Sequence, residues 1–66
     1  MQLIECVPNF SEGRDLNIIR QITDEIETVE GVRLLNTDPG KATNRTVVTF
    51  VGTPAAVIEA AFRASR

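Results

Sequence analysis

The sequence predicts an α+β fold, with two helices packed on one face of a small antiparallel sheet. Three observations carry this expectation. Leu16, Ile19, Ile22, Ile26 and Val29 recur at spacings of three and four, the period of a helix with one apolar face. Thr46, Val47, Val48, Thr49, Phe50 and Val51 form a run of β-branched and aromatic residues, which suits a pleated surface. The elements follow one another as strand, helix, strand, strand, helix within 66 residues, and helices on one face of such a sheet enclose a single core.

Each element has its own justification. Residues 2–7 include Leu3, Ile4, Cys6 and Val7 and stop at Pro8, whose ring removes a backbone donor. They are expected to be the first strand. The string Pro8-Asn9-Phe10-Ser11-Glu12-Gly13 is rich in turn formers and reads as a loop. The first helix is expected from Asp15, with Arg14, Asp24, Glu25 and Glu27 mostly on its solvated sides and Gly31 as the left-handed residue beyond its end. Residues 32–38 are extended by composition, although adjacent Leu34 and Leu35 interrupt the alternation. Asp38-Pro39-Gly40 is expected to turn, residues 41–44 to complete the connection, and residues 45–51 to form the clearest strand, ended by Gly52. Thr53 and Pro54 match an N-cap and a first helical position. Val57, Ile58, Ala61, Phe62 and Ala64 then continue at helical spacing to the last residue.

A βαββα string is a ferredoxin-like βαββαβ unit lacking its last strand. In that topology the last strand lies beside the first, so the first is expected to be an open edge, a feature proteins normally cover. The chain is accordingly read as one domain, 1–66, truncated at its C-terminal end.

Composition narrows the function. With 7 basic and 9 acidic residues the formal net charge is −2, so there is no concentrated basic patch of the kind nucleic acid requires. No apolar run approaches the roughly 20 residues of a membrane span, and no signal peptide pattern is present. A single cysteine, Cys6, and no histidine leave no internal disulfide and no zinc cluster. The expected setting is cytoplasmic, without metal, nucleic acid or membrane. A chain this short buries only about 60% of its unfolded surface, which leaves an efficient small core, an oligomer or a piece of something larger.

Two strings are more specific than composition. Glu5-Cys6-Val7-Pro8-Asn9-Phe10-Ser11-Glu12-Gly13 is one, and Asp38 followed by Asn44-Arg45-Thr46-Val47 and Thr49-Phe50-Val51-Gly52 is the other. In this order and spacing they resemble the start of the glutamate formiminotransferase family, in its N-terminal subdomain, over nearly the whole chain. The resemblance implies transfer of a formimino group from N-formimino-L-glutamate to tetrahydrofolate, the co-substrate, in histidine degradation. It further implies that folate and formiminoglutamate bind in a cleft shared with a second subdomain. The family's catalytic histidine lies just beyond the second helix, and this sequence contains none.

Five residues are candidates for the site. Asp38 matches a supporting carboxylate that orients a base and stabilises positive charge on the substrate; considered alone, it opens a turn. Asn9 offers an amide to a substrate carboxylate or carbonyl, or caps its own loop. Glu12 stands at the mouth of the same loop, or favours the positive end of the helix. Asn44 and Arg45 stand side by side within the second string. Arg45 suits the carboxylates of formiminoglutamate and folate through bidentate bonding, or forms a surface salt bridge with Asp38. Phe10 is expected in the core and Cys6 to be an inert, buried thiol.

Two readings follow from different classes. In the first, the chain is part of an enzyme that needs a histidine and a second subdomain supplied elsewhere. In the second, it is a stand-alone, non-catalytic binding or assembly module that dimerises through its open edge strand.

Overall fold

The computed structural model describes residues 2–40 and 42–65. Its elements are β1 (Ile4–Cys6), β2 (Asn9–Phe10), α1 (Leu16–Glu27), β3 (Val32–Gly40), β4 (Arg45–Gly52) and α2 (Pro54–Ala64). Met1, Lys41 and Arg66 lie outside the described residues, so the expected 41–44 connection is seen only over 42–44, and the second helix is followed to Ala64 and its cap Ser65.

β4 is the centre of an antiparallel sheet, with β1 and β2 end to end along one side and β3 along the other. This is the split βαβ arrangement of a ferredoxin-like fold. The helices cover one face. Val48, Phe50, Ile26 and Ala60 are fully buried, joined by Val29, Ala56, Val57 and Ala64, with Cys6, Phe10, Ile22, Val32 and Leu34 packed at the margin. Phe10 thus packs against the core as expected, whereas Cys6, expected to be buried, is only half-buried at its margin.

The caps follow local chemistry. The Asp15 carboxylate accepts the N–H groups of Asn17 and Ile18, and Thr53 Oγ1 accepts that of Ala56, each satisfying helical donors that have no carbonyl partner. Gly31 has φ +92°, as the end of α1 requires.

Three expectations are corrected. The loop reading of Pro8-Asn9-Phe10 gives way to strand: Cys6 lies opposite Phe50 and Asn9 opposite Val47, so β1 and β2 keep one register and form a single edge strand interrupted at Val7 and Pro8. Proline removed a donor without turning the chain, which an edge strand tolerates. Likewise Asp38, Pro39 and Gly40 do not turn. They pair with Val47, Thr46 and Arg45, and the chain reverses later, where Asn44 takes a left-handed φ of 53°. The adjacency of Leu34 and Leu35 reflects a register shift between Leu34 and Asn36, a bulge that re-phases the strand. On α2 the buried stripe is Ala56, Val57, Ala60 and Ala64, while Ile58 and Phe62 are exposed. Small side chains let this helix approach the sheet closely.

Candidate functional site

The alternation of β4 decides what the uncovered face of the sheet offers. Thr46, Val48, Phe50 and Gly52 are buried under the helices, so Arg45, Val47, Thr49 and Val51 point to the opposite face. Register then brings distant residues into rows. Asn9 and Asp38 both lie opposite Val47, one on each side, about 10 Å apart by two strand spacings. Gly40 lies opposite Arg45 in the next row. These residues, with Thr43, line a depression of about 640 Å³ at the end of the uncovered face, within the size range of small-molecule sites.

Three candidates read from the sequence, Asn9, Asp38 and Arg45, therefore share one concave surface, although 36 positions separate the first from the last. The register sets Asp38 and Arg45 diagonally across the hairpin, and no ion pair joins them among the described residues. The lining also includes Thr43, Val47 and Gly40, which sequence reasoning passed over. The alternation of residues 45–51 was the available signal for Val47, since it shares a face with Arg45.

Glu12 and Asn44, the other two candidates, do not line the depression. The Glu12 carboxylate accepts the N–H groups of Arg14 and Asp15, both at 3.0 Å. Those bonds, Asp15 first and Arg14 next, hold its carboxyl below the ordinary glutamate value. Asn44 Oδ1 accepts Gly13 N–H at 3.1 Å, and Thr46 Oγ1 donates to the Glu12 carbonyl. Gly13 is buried against the hairpin: a Cβ there would meet the backbone of Arg45 and the Gly40 carbonyl at 2.6 Å. Only a residue without a side chain permits this approach. The loop before α1 is thereby clamped to the two residues, Gly40 and Arg45, that form one end of the depression.

Chemically, the lining combines a guanidinium, a carboxylate, a carboxamide and a hydroxyl around the apolar Val47 side chain. That set suits a polar molecule carrying at least one carboxylate and a flat or apolar part. Among the described residues no cluster of three metal-ligating side chains occurs, and no helix is long and apolar enough to cross a membrane.

Fold and site define an α+β module that carries a polar depression on the uncovered face of a split βαβ sheet. The sequence matches the formiminotransferase domain, N-terminal subdomain, over residues 3–66. It is 54% identical over 65 residues to the formimidoyltransferase-cyclodeaminase of Dictyostelium discoideum and 52% identical to that of Rattus norvegicus, covering 98% of this chain and 12% of each relative. It is 45% identical over 62 residues to the glutamate formimidoyltransferase of Thermoplasma acidophilum, covering 94% of this chain and 20% of that protein. The chain belongs to the formiminotransferase N-terminal subdomain family. It spans about an eighth of the two formimidoyltransferase-cyclodeaminases and a fifth of the Thermoplasma acidophilum protein.

Proposed function

We propose that this chain is the N-terminal part of a glutamate formimidoyltransferase, and that its uncovered sheet face is one wall of the transfer site for N-formimino-L-glutamate and tetrahydrofolate. The convergence of Asn9, Asp38 and Arg45 on one depression carries the reading. Arg45 supplies a planar cation for a substrate carboxylate. Asn9 presents a donor and an acceptor side by side, which matches the edge of a pterin ring. Val47 provides the apolar floor between them.

In the reaction a folate nitrogen attacks the formimino carbon, a tetrahedral centre forms, and the glutamate nitrogen leaves as the amine. A base takes the proton from the attacking nitrogen and an acid delivers one to the leaving nitrogen. The Asp38 carboxylate faces the depression, where it would stabilise the cationic formamidine carbon as it is attacked. With no histidine in the chain, its role is to bind and orient, and the imidazole expected of the family belongs to another part of the site. A cytoplasmic setting and a place in histidine degradation form part of the same proposal.

The test is a titration of the chain with formiminoglutamate and, separately, tetrahydrofolate, followed by amide NMR shifts. Perturbations centred on Asn9, Thr43, Arg45 and Val47 support the reading. Saturating ligand that leaves those four amides unmoved overturns it.

A further inference from the structure

The side chains on either side of Arg45 hold the two polar ends of one peptide group. Asn44 Oδ1 accepts the Gly13 N–H at 3.1 Å, and Thr46 Oγ1 donates to the Glu12 carbonyl. That N–H and that carbonyl belong to the same Glu12–Gly13 peptide unit, which is planar, so holding both ends fixes the whole unit. Thr46 is buried on the helical face of β4. The peptide it binds therefore lies on that face, away from the Arg45 side chain.

Gly13 completes the contact, because its Cα rests on the Gly40–Arg45 pair that ends the β3–β4 ladder. That pair has little support of its own. Arg45 opens β4 directly after the left-handed Asn44, and its ladder partner is a glycine, the residue with the widest backbone freedom. Pairs at the end of a ladder open at low cost unless something holds them. Here the holding group is itself anchored to α1. The Glu12 carboxylate accepts the Arg14 and Asp15 N–H groups, and Asp15 caps the helix. A run of bonds thus leads from the start of α1 to the residues on both sides of Arg45.

We infer, on the carboxylate-binding role proposed above for Arg45, that Asn44 and Thr46 are its positioning residues. By gripping the Glu12–Gly13 peptide they hold the Arg45 backbone in the orientation from which the guanidinium meets a carboxylate through two parallel bonds. Such two-bond recognition is directional, whereas attraction to a point charge is not. Among the described residues no side chain or carbonyl bonds the Arg45 guanidinium, so its direction is set from its own backbone. Neither Asn44 nor Thr46 lines the depression. Each therefore acts through Arg45 and not on the ligand.

Calorimetric titration of the chain with glutarate, a plain dicarboxylate, tests the role. Thr46→Val removes the hydroxyl and keeps the shape, and Thr46→Ser restores the hydroxyl. Asn44→Gly releases the other end of the peptide and serves alone if Thr46→Val fails to fold by circular dichroism. Thr46→Val and Asn44→Gly should each raise the dissociation constant about 3- to 10-fold, with Thr46→Ser within about 2-fold of the parent. In an Arg45→Ala background the same substitutions should have no further effect, because residues that act through one group are not additive. A merely structural role would weaken binding equally in both backgrounds. Without ligand, the order parameter of the Arg45 backbone amide should fall from about 0.85 in the parent to a lower value in both weakened variants. Unchanged affinity in the folded variants, equal losses with and without the guanidinium, or an unmoved order parameter overturns the inference. A parent that binds no glutarate overturns the carboxylate role of Arg45 itself, whatever the variants do.

Discussion

The side-chain oxygen of Asn44 accepts the N–H of Gly13 at 3.1 Å, across 31 positions of sequence. Asn44 also holds the left-handed φ of 53° that reverses the chain before β4. Asparagine tolerates that backbone better than other side chains, and its amide joins the reversal to the loop before α1. Asn44→Ala loses both contributions, about 2 kcal/mol in all. Asn44→Gly keeps the backbone freedom and loses only the bond, about 1 kcal/mol. Urea denaturation of the two variants should rank them in that order; equal losses would assign the whole effect to the hydrogen bond.

Gly13→Ala tests the clamp from the other side. The new Cβ would stand 2.6 Å from the backbone nitrogen and oxygen of Arg45 and from the Gly40 carbonyl. None of these is a flexible side-chain end, so the loop and the hairpin must separate. A loss of about 2 kcal/mol or more is expected, in the range of overpacked interiors, together with shifted amide resonances at Gly40 and Arg45. A variant as stable as the parent, with those resonances unmoved, would show that the loop is not held there.

What the residues disclosed, and what they concealed, follows from the range of each interaction. The start of α1 near Asp15, the left-handed Gly31 and the Thr53-Pro54 start of α2 depend on neighbours within one turn, and were legible. Asp38-Pro39-Gly40 was not. Those residues favour a turn locally, but pairing with Val47, Thr46 and Arg45 supplies long-range hydrogen bonds that override the preference. The same override turned Asn9 and Phe10 into strand. Asn9, Asp38 and Arg45 were candidates from their strings, but that they share one depression, with Val47 between Asn9 and Asp38, emerged only from the register. The α2 core face was misjudged because Ile58 and Phe62 outweigh alanines in any hydrophobic pattern, yet the alanines allow close packing.

Acid should loosen the same loop. The Glu12 carboxyl lies below the ordinary value of 4.5, because Asp15 and Arg14 N–H groups bind its ionised form. On acidification the unfolded chain therefore takes up this proton before the folded chain does. The contribution is complete above about 4.5 and is lost as pH falls through the lower folded value. Thermal melts of the parent and of Glu12→Gln between about pH 3 and 6 should converge at the acid end. Curves that stay parallel across that window would remove Glu12 from the acid response.

Arg45 and Asp38 should separate binding by charge type. Formiminoglutamate carries two carboxylates, and a guanidinium bonds one of them through two parallel N–H groups, which an ammonium cannot reproduce. Arg45→Ala is expected to weaken binding of formiminoglutamate by at least ~10-fold, and Arg45→Lys to recover only part of that, since a charge-assisted bond contributes about 1.5–3 kcal/mol. Asp38→Asn should act differently. It removes a negative charge from the depression, so a dicarboxylate should bind equally well or slightly better, while the cationic formamidine group loses its counter-charge. Comparing formiminoglutamate with glutarate by calorimetry therefore isolates the two roles. Both ligands should respond alike to Arg45→Ala, and only formiminoglutamate should lose affinity with Asp38→Asn. Equal responses of both ligands to Asp38→Asn would place the formimino group elsewhere than beside this carboxylate.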